Sequence, residues 1–321
     1  MIRLSAITPS GQVQLGNYLG AIRRWAAEGT AEDVYFISDL HAMTSAHNPA
    51  RLRALTREQL AVLVAAGVAP ESVCVQSDLV RELGALTWLL ECTCSYGEAA
   101  RMIQFKEKSE GRASVRLSLL TYPVLMSADI LLQGTHEVPV GEDQLQHVEL
   151  ARVLARRFNG TYGEVFVVPR AVVAPTAARV RDLAEPSRKM AKSAPDAAGT
   201  VFLLDPPDLV RRKIMRAVTD DRGEVRYDPD GQPGVTNLLE ILSACTGKEA
   251  RELAGSLSDY ASLKEATAEA VVAELKPVRE RTLALLADPT ELDRIRAAGA
   301  ERARDRSTHR LESALRVSGL G

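Results

Sequence analysis

Three things are scarce in this chain, and each scarcity narrows what it can be. Cysteine comes first: only Cys74, Cys92, Cys94 and Cys245 occur in 321 residues, with no Cys-x-x-Cys pair. That spacing builds neither a disulfide framework nor a zinc site, and it reads as reduced thiols in a cytoplasm. Charge of one sign is missing too. Lys+Arg number 40 and Asp+Glu 42, a formal net charge of -2. Contact with nucleic acid must therefore come from local patches, not from a basic body. Long apolar runs are also lacking: the longest, such as Leu60 to Val68, fall far short of the roughly 20 residues that span a bilayer. The first residues, Met1-Ile2-Arg3-Leu4-Ser5, carry neither the charged start and apolar core of a secretory signal nor a cleavage site. The expectation is a cytoplasmic protein without membrane contact.

What is present is the balance of a globular protein, 46% hydrophobic and 26% charged, long enough for two domains. Ile2 to Ile7, Asp33 to Ser38 and Ser72 to Gln76 read as short apolar strands. Between and after them, Asn17 to Ala27, Arg51 to Ala66, Glu82 to Cys92 and Gln144 to Phe158 carry apolar residues at helical spacing. Strands alternating with helices predict an α/β fold with a doubly wound parallel sheet. After about residue 195 the texture is helical throughout: Pro206 to Val218, Val235 to Thr246, Lys248 to Leu257, Ser262 to Leu286 and Thr290 to Val317. A smaller all-α domain is expected there.

Three loops and one carboxylate hold the chemistry. Thr8-Pro9-Ser10-Gly11 through Gly16-Asn17 joins the first strand to the first helix, where glycine lets a ligand approach the backbone. It matches neither the P-loop nor the dinucleotide fingerprint. Val138-Pro139-Val140-Gly141-Glu142-Asp143-Gln144 puts two carboxylates at the end of a strand. They suit a ribose, an amino group or a metal-bound phosphate, and Asp143 equally suits a helix N-cap. Ser187-Arg188-Lys189-Met190-Ala191-Lys192-Ser193 offers two lysines three apart, fit for a polyphosphate or for a solvated basic linker. Asp129 lies inside the apolar stretch Tyr122 to Leu132. A charge there costs several kcal/mol unless paired, so it has an internal partner, ordinarily an Arg, or awaits a ligand donor such as an indole N–H.

In this order and spacing the segments resemble the bacterial tryptophanyl-tRNA synthetases, of the class I aminoacyl-tRNA synthetases. The resemblance runs nearly the whole chain. It rests on Pro9-Ser10-Gly11 with Leu15-Gly16-Asn17-Tyr18 (the HIGH-type signature), Asp39-Leu40-His41-Ala42, Arg101 to Lys108, and Tyr122-Pro123 to Leu132. It continues through Val138 to Gln144 with Gln146-His147, Lys189-Met190-Ala191-Lys192-Ser193 as a KMSKS-type loop, and Pro233-Gly234-Val235-Thr236-Asn237. Tyrosyl-tRNA synthetases share the architecture, and the Met126-Ser127-Ala128-Asp129 stretch looks like the tryptophan branch.

The resemblance implies a Rossmann-type catalytic domain over residues 1–194 and a helical anticodon-binding domain over 195–289, with helices 290–321 packing back on the first. It implies that ATP with Mg2+ activates L-tryptophan to an adenylate, and that tryptophan then passes to the terminal ribose of tRNA(Trp). Lys189 and Lys192, with Lys108 as a third cation, would stabilise the pyrophosphate. Thr8, Pro9, Ser10, Gly16 and Asn17 would lie against the nucleotide and Gly141, Glu142 and Asp143 against the ribose. Val180, Met190, Ala191 and Ser193 would complete the ATP site. Asp129 would accept the indole N–H, in a pocket with His41, Met126, Gln144, Tyr122 and Ser5. Arg211-Arg212-Lys213 would be one phosphate contact for tRNA among several. A homodimer is expected, and no resident metal.

The chain also departs from the family. Leu4-Ser5-Ala6-Ile7-Thr8 stands where Phe-Ser-Gly-x-Gln is common, Gln14 where Thr or His is usual, and Ala191 where KMSKS has serine. Gln14 could donate to a phosphate oxygen. Three readings follow. The first is a housekeeping or auxiliary enzyme that tolerates the changes, the auxiliary copy having reduced affinity for the tryptophan-mimicking antibiotic indolmycin. The second is a non-catalytic paralogue sensing tryptophan or tRNA, and the third, setting the resemblance aside, is a different nucleotide-dependent ligase with a helical appendage.

Overall fold

A computed structural model describes residues 1–111, 114–173, 180–191 and 197–320. Five short strands lie at its centre: β1 (Leu4–Ile7), β2 (Val34–Ile37), β3 (Val73–Val75), β4 (Glu137–Val140) and β5 (Arg170–Val173). β1 pairs with β2, β2 with β3, and β4 with β5, all in parallel. A parallel bridge from Arg3 to Glu137 joins the two groups. The strands therefore run 3-2-1-4-5, winding outwards from the junction of β1 and β4.

Side-chain alternation explains the layers. Along β2, Val34 and Phe36 enter one core while Tyr35 and Ile37 enter the other; along β3, Cys74 joins the first and Val73 and Val75 the second. Both faces are apolar, so both must be covered by helices. α1 (Leu15–Asn17) and α2 (Arg23–Glu28) follow β1, with a π-helical turn at Tyr18–Ile22 between them; α3 (Asp39–Ala42) and α4 (Pro49–Ala65) follow β2. α5 (Val80–Glu91), α6 (Tyr96–Ala100), α7 (Ile103–Ser109) and α8 (Leu117–Leu132) connect β3 to β4, and α9 (Leu145–Tyr162) connects β4 to β5. Asn48 caps α4 by accepting from the Arg51 N–H, with Pro49 in the first turn. The spacing predicted one helix from Asn17; the structure begins it at Leu15 and widens it at Tyr18–Ile22, where Tyr18 and Arg23 both reach Glu274.

The later helices are α10 (Pro207–Met215), α11 (Pro233–Thr246), α12 (Ala250–Ser256), α13 (Tyr260–Ala287) and α14 (Pro289–Val317). Val210, Leu238, Leu263 and Val271 share one continuous apolar core with Ile7, Ile37 and Leu60 of the α/β layer. Lys213 corrects an expectation. It donates to Asp205 at 2.7 Å and to the Thr200 carbonyl at 2.7 Å, so it braces the helix and is not held out for a tRNA phosphate. Its neighbour Arg211 faces Glu265 and Glu269.

α14 covers the free edge of β3, the kind of edge that invites unwanted pairing when left bare. Leu292 and Ile295 pack into one core and Ala303 and Ala314 into the other, so the helix passes from face to face around the sheet. Arg296 grips Asp78 through two hydrogen bonds of 2.8 and 2.6 Å, and Gln133 donates to Ser307 at 2.8 Å. At the crossing point Gly299 lies directly on the Val73 carbonyl, and a Cβ there would collide with it. Gly299→Ala is therefore expected to destabilise the protein by about 1–3 kcal/mol in urea unfolding. The same change at Gly84, in α5 and facing open space, should stabilise by about 0.5–1 kcal/mol. Equal effects at the two positions would show that α14 is not seated as described.

Candidate active site

β1 and β4 part after their bridge, and the gap opens at the carboxyl ends of the strands. Such a switch point is where parallel α/β sheets bind ligands, because the loops leave to opposite faces there. A cleft of about 570 Å³ occupies the opening. Leu4, Ser5, Ala6 and Thr8 supply one wall from β1, and Val138, Pro139, Val140 and Gly141 the other from β4. Ser10, His41, Lys108, Tyr122, Met126, Asp129 and Gln144 also line it, together with Trp25, Ser38, Thr44, Ser45 and Gln104. Ten residues singled out in the sequence therefore meet in one cavity: Ser5, Thr8, Ser10, His41, Lys108, Tyr122, Met126, Asp129, Gly141 and Gln144.

Asp129 sits in the cleft wall, 4% exposed. Its partner is not an arginine. Gln76, at the end of β3, donates its amide to both carboxylate oxygens at 2.9 Å, and His41 Nε2 lies 3.0 Å from Oδ2. The Gln76 oxygen accepts from the Leu40 and His41 backbone N–H groups at 3.1 and 3.4 Å, which fixes which end of its amide faces Asp129. These hydrogen bonds hold the buried carboxylate in place while it still lines the cleft. Asp39 makes a parallel tie: its oxygens accept from the Ser77 N–H at 2.9 Å and hydroxyl at 2.6 Å, and burial pushes its pKa up.

A second network stands beside it. The Tyr122 hydroxyl donates to Gln104 Oε1 at 3.1 Å and lies 2.8 Å from His147 Nε2, while Lys108 Nζ donates to the same Gln104 oxygen at 3.1 Å. Burial drives the Tyr122 pKa up to about 12 and the His147 pKa down to about 4. Gln146 holds the start of α7, accepting from the Ile103 N–H at 2.9 Å.

The remaining sequence candidates lie around the rim. Gln59 is fully buried and donates to the Thr8 and Gly11 carbonyls at 3.2 and 3.3 Å, which sets the turn that contains Pro9. Gln14 is buried, its oxygen accepts from the Gly16 and Asn17 N–H groups, and one N–H of its amide donates to the Met190 carbonyl at 2.9 Å. Its side chain thus ties the start of the first helix to the hairpin that carries Met190. Val180 and Met190 are buried side chains; the Met190 N–H donates to the Val180 carbonyl at 3.2 Å, and Gly16 packs closely on Val180. Lys189 and Ala191 are exposed on this hairpin, where Lys189 bridges Arg181. Asn237 of α11 clamps the hairpin by accepting from the Arg181 N–H at 2.8 Å and donating to its carbonyl at 3.1 Å. Asp143 accepts from the Gln144 amide at 2.8 Å. Lys192, Ser193 and the Glu142 side chain lie outside the described residues.

Gln76, Gln104, His147 and Asn237 are the polar residues that sequence reading missed. A buried amide or imidazole has no periodic signal, and although Gln104, His147 and Asn237 fall inside quoted blocks, none was given a role.

His147 makes a pH prediction. Its folded pKa, about 4, lies below its ordinary value of 6.5. Between those values the unfolded chain binds a proton that the folded protein does not, so stability falls as pH drops from 6.5 to 4. Urea unfolding at pH 7.5 and pH 5 should show a smaller pH penalty for His147→Gln than for the unaltered protein. An identical penalty would mean that the imidazole is not held neutral.

Comparison with known proteins agrees with the geometry. Residues 1–276 match the sequence profile described as tRNA synthetases class I (W and Y). The chain is 54% identical over 324 aligned positions to the tryptophan--tRNA ligase 1 of Streptomyces coelicolor, covering 98% of this chain and 96% of that protein. In structure it resembles the tryptophanyl-tRNA synthetase of Mycoplasma pneumoniae, with TM-score 0.87, 32% identity and coverage of 100% and 98% of the two chains. It is also similar to that of Campylobacter jejuni complexed with ADP and tryptophan, with TM-score 0.86, 31% identity and full coverage of both chains. The chain belongs to the class I tRNA synthetase family, and within it to the bacterial tryptophanyl-tRNA synthetases.

Proposed function

We propose that the cleft activates L-tryptophan with ATP and passes it to tRNA(Trp), each residue acting where the geometry puts it. The observation that carries the reading is Asp129: a buried carboxylate, oriented by Gln76 and His41, that faces the cleft as an acceptor. An indole N–H satisfies it; a phenyl ring would leave it desolvated and unanswered, which is how a polar site rejects an apolar analogue. Tyr122, Met126, Gln144 and Ser5 complete the amino-acid pocket.

Activation joins the tryptophan carboxylate to the α-phosphorus of ATP and releases pyrophosphate; the terminal ribose hydroxyl of tRNA then attacks the carbonyl and releases AMP. Both steps are displacements, so the protein's share is alignment and charge stabilisation. Thr8, Pro9, Ser10, Gly16, Asn17 and the Val180 backbone are assigned to the nucleotide, and Gly141, Glu142 and Asp143 to its ribose. Lys189 and Lys192 take the leaving pyrophosphate, with Met190, Ala191 and Ser193 framing them and Lys108 as a third cation. Mg2+ is assigned to the ATP phosphates, since this hard cation keeps most of its waters and takes few protein ligands. Among the described residues no group of three His, Cys, Asp or Glu side chains is placed to hold a metal ion.

Residues 1–194 are assigned to catalysis and 195–289 to the anticodon, with exposed Arg212 available to phosphate. A second copy is assigned to the exposed apolar side chains Trp88 and Tyr96. No helix among the described residues is long and apolar enough to cross a membrane, and a cytoplasmic enzyme is proposed.

ATP–pyrophosphate exchange tests the reading. Exchange is expected with tryptophan alone of the twenty amino acids, and Lys189→Ala should lower kcat by about a hundredfold or more. Folded protein that binds tryptophan without exchange would instead make it a sensor. Leu4, Ser5, Ala6 and Thr8 line the cleft itself, so the departures in this segment fall on the bound ligand. Weaker inhibition by indolmycin than of the Campylobacter jejuni enzyme is expected; equal inhibition would contradict that assignment.

A further inference from the structure

We infer that His147 is a positioning residue, holding the Tyr122 hydroxyl and through it the Gln104 amide, so that this wall of the cleft offers a ligand N–H donors from Gln104. The inference rests on the cleft being the amino-acid site.

Donor and acceptor counting gives the direction of the relay. An ammonium can only donate, and Lys108 Nζ lies 3.1 Å from Gln104, so the atom facing it is the amide oxygen. The Tyr122 hydroxyl is 3.1 Å from that same oxygen and can approach it only by donating. Its one proton is then spent, and toward His147 Nε2, 2.8 Å away, it can only accept. The imidazole must therefore carry its proton on Nε2. Nδ1 is left as a bare lone pair, and it is the ring nitrogen that is buried without a hydrogen-bond partner. The other tautomer would bury an unpaired N–H and turn the Tyr122 proton away from Gln104. Orphaned N–H groups are the rarer defect in folded proteins.

The consequence reaches the cleft. Both lone pairs of the Gln104 oxygen are occupied, so Gln104 can meet a ligand only through its NH2. Together with Lys108 it makes a wall suited to an anionic group. His147 is 1% exposed and sits behind Tyr122, whose ring also meets His41 edge-on at 6.0 Å between centroids. Burial keeps His147 uncharged at neutral pH, so the direction of the relay does not change across the working range.

Two measurements test this. Nitrogen NMR of the labelled, intact protein at pH 7 should find His147 protonated at Nε2 and bare at Nδ1; the opposite tautomer overturns the inference. This arm needs no variant to fold. In ATP–pyrophosphate exchange, His147→Leu should raise KM for tryptophan about tenfold while KM for ATP stays within about twofold. His147→Gln, which can return an amide donor near the Nε2 position, should recover most of the loss. Adding His147→Leu to Tyr122→Phe should cost nothing further, because one relay is broken either way. Multiplying effects, or equal rises in both KM values, would make His147 ordinary core packing and overturn the inference. If Tyr122→Phe leaves KM for tryptophan unchanged, the amino-acid reading of the cleft fails, whatever the tautomer.

Discussion

A carboxylate kept in an apolar wall is the constraint around which this protein is arranged. Burying Asp129 costs several kcal/mol unless donors replace the lost water. Gln76 and His41 supply those donors, and the carboxylate still lines the cleft, where a ligand donor can reach it. Stability and recognition are thus settled by one choice of partner. The partners come from the ends of β2 and β3, and Asp129 from α8, so the arrangement exists only when the doubly wound sheet is complete.

Strand order supplies the rest of the site. Because the chain winds both ways from the β1–β4 junction, the loops after β1, β2 and β4 all open into one gap. The aliphatic alternation that buries both faces of β2 and β3 keeps this gap at the strand ends, the only place where backbone leaves the sheet. The hairpin carrying Lys189 is fastened from two directions, by Gln14 at Met190 and by Asn237 at Arg181. The helical part and this hairpin are therefore in direct hydrogen-bonded contact, on top of the core they share.

Much of this was legible from residues alone. The strand-helix alternation to Phe158 gave the sheet, because period-2 and period-3.6 patterns are local properties of the chain. Asp129 stood out because a charge within an apolar run has a cost that can be stated in advance. β5 did not stand out: four residues in a short stretch bounded by Pro169 and Pro175 carry too little pattern. α8 was obscured by Pro123, a residue that ordinarily ends helices and here sits inside one. The amides were the larger loss. Gln76 and Gln104 meet Asp129 and Tyr122 from 53 and 18 positions away, and neutral polar residues take their meaning from such contacts. Lys213 erred the other way: a basic cluster looks like a phosphate site until its partner, Asp205, is seen.

The central claim is that Asp129 reads the indole N–H, and one comparison isolates that bond. Calorimetric affinity for tryptophan should be set against that for its benzothiophene analogue, in which sulfur replaces the N–H and the ring shape is nearly kept. The account predicts that the analogue binds at least about a hundredfold more weakly, since it covers the cleft side of Asp129 without supplying a donor to it. Equal affinity for the two would contradict it, and would mean that shape alone fills the cleft.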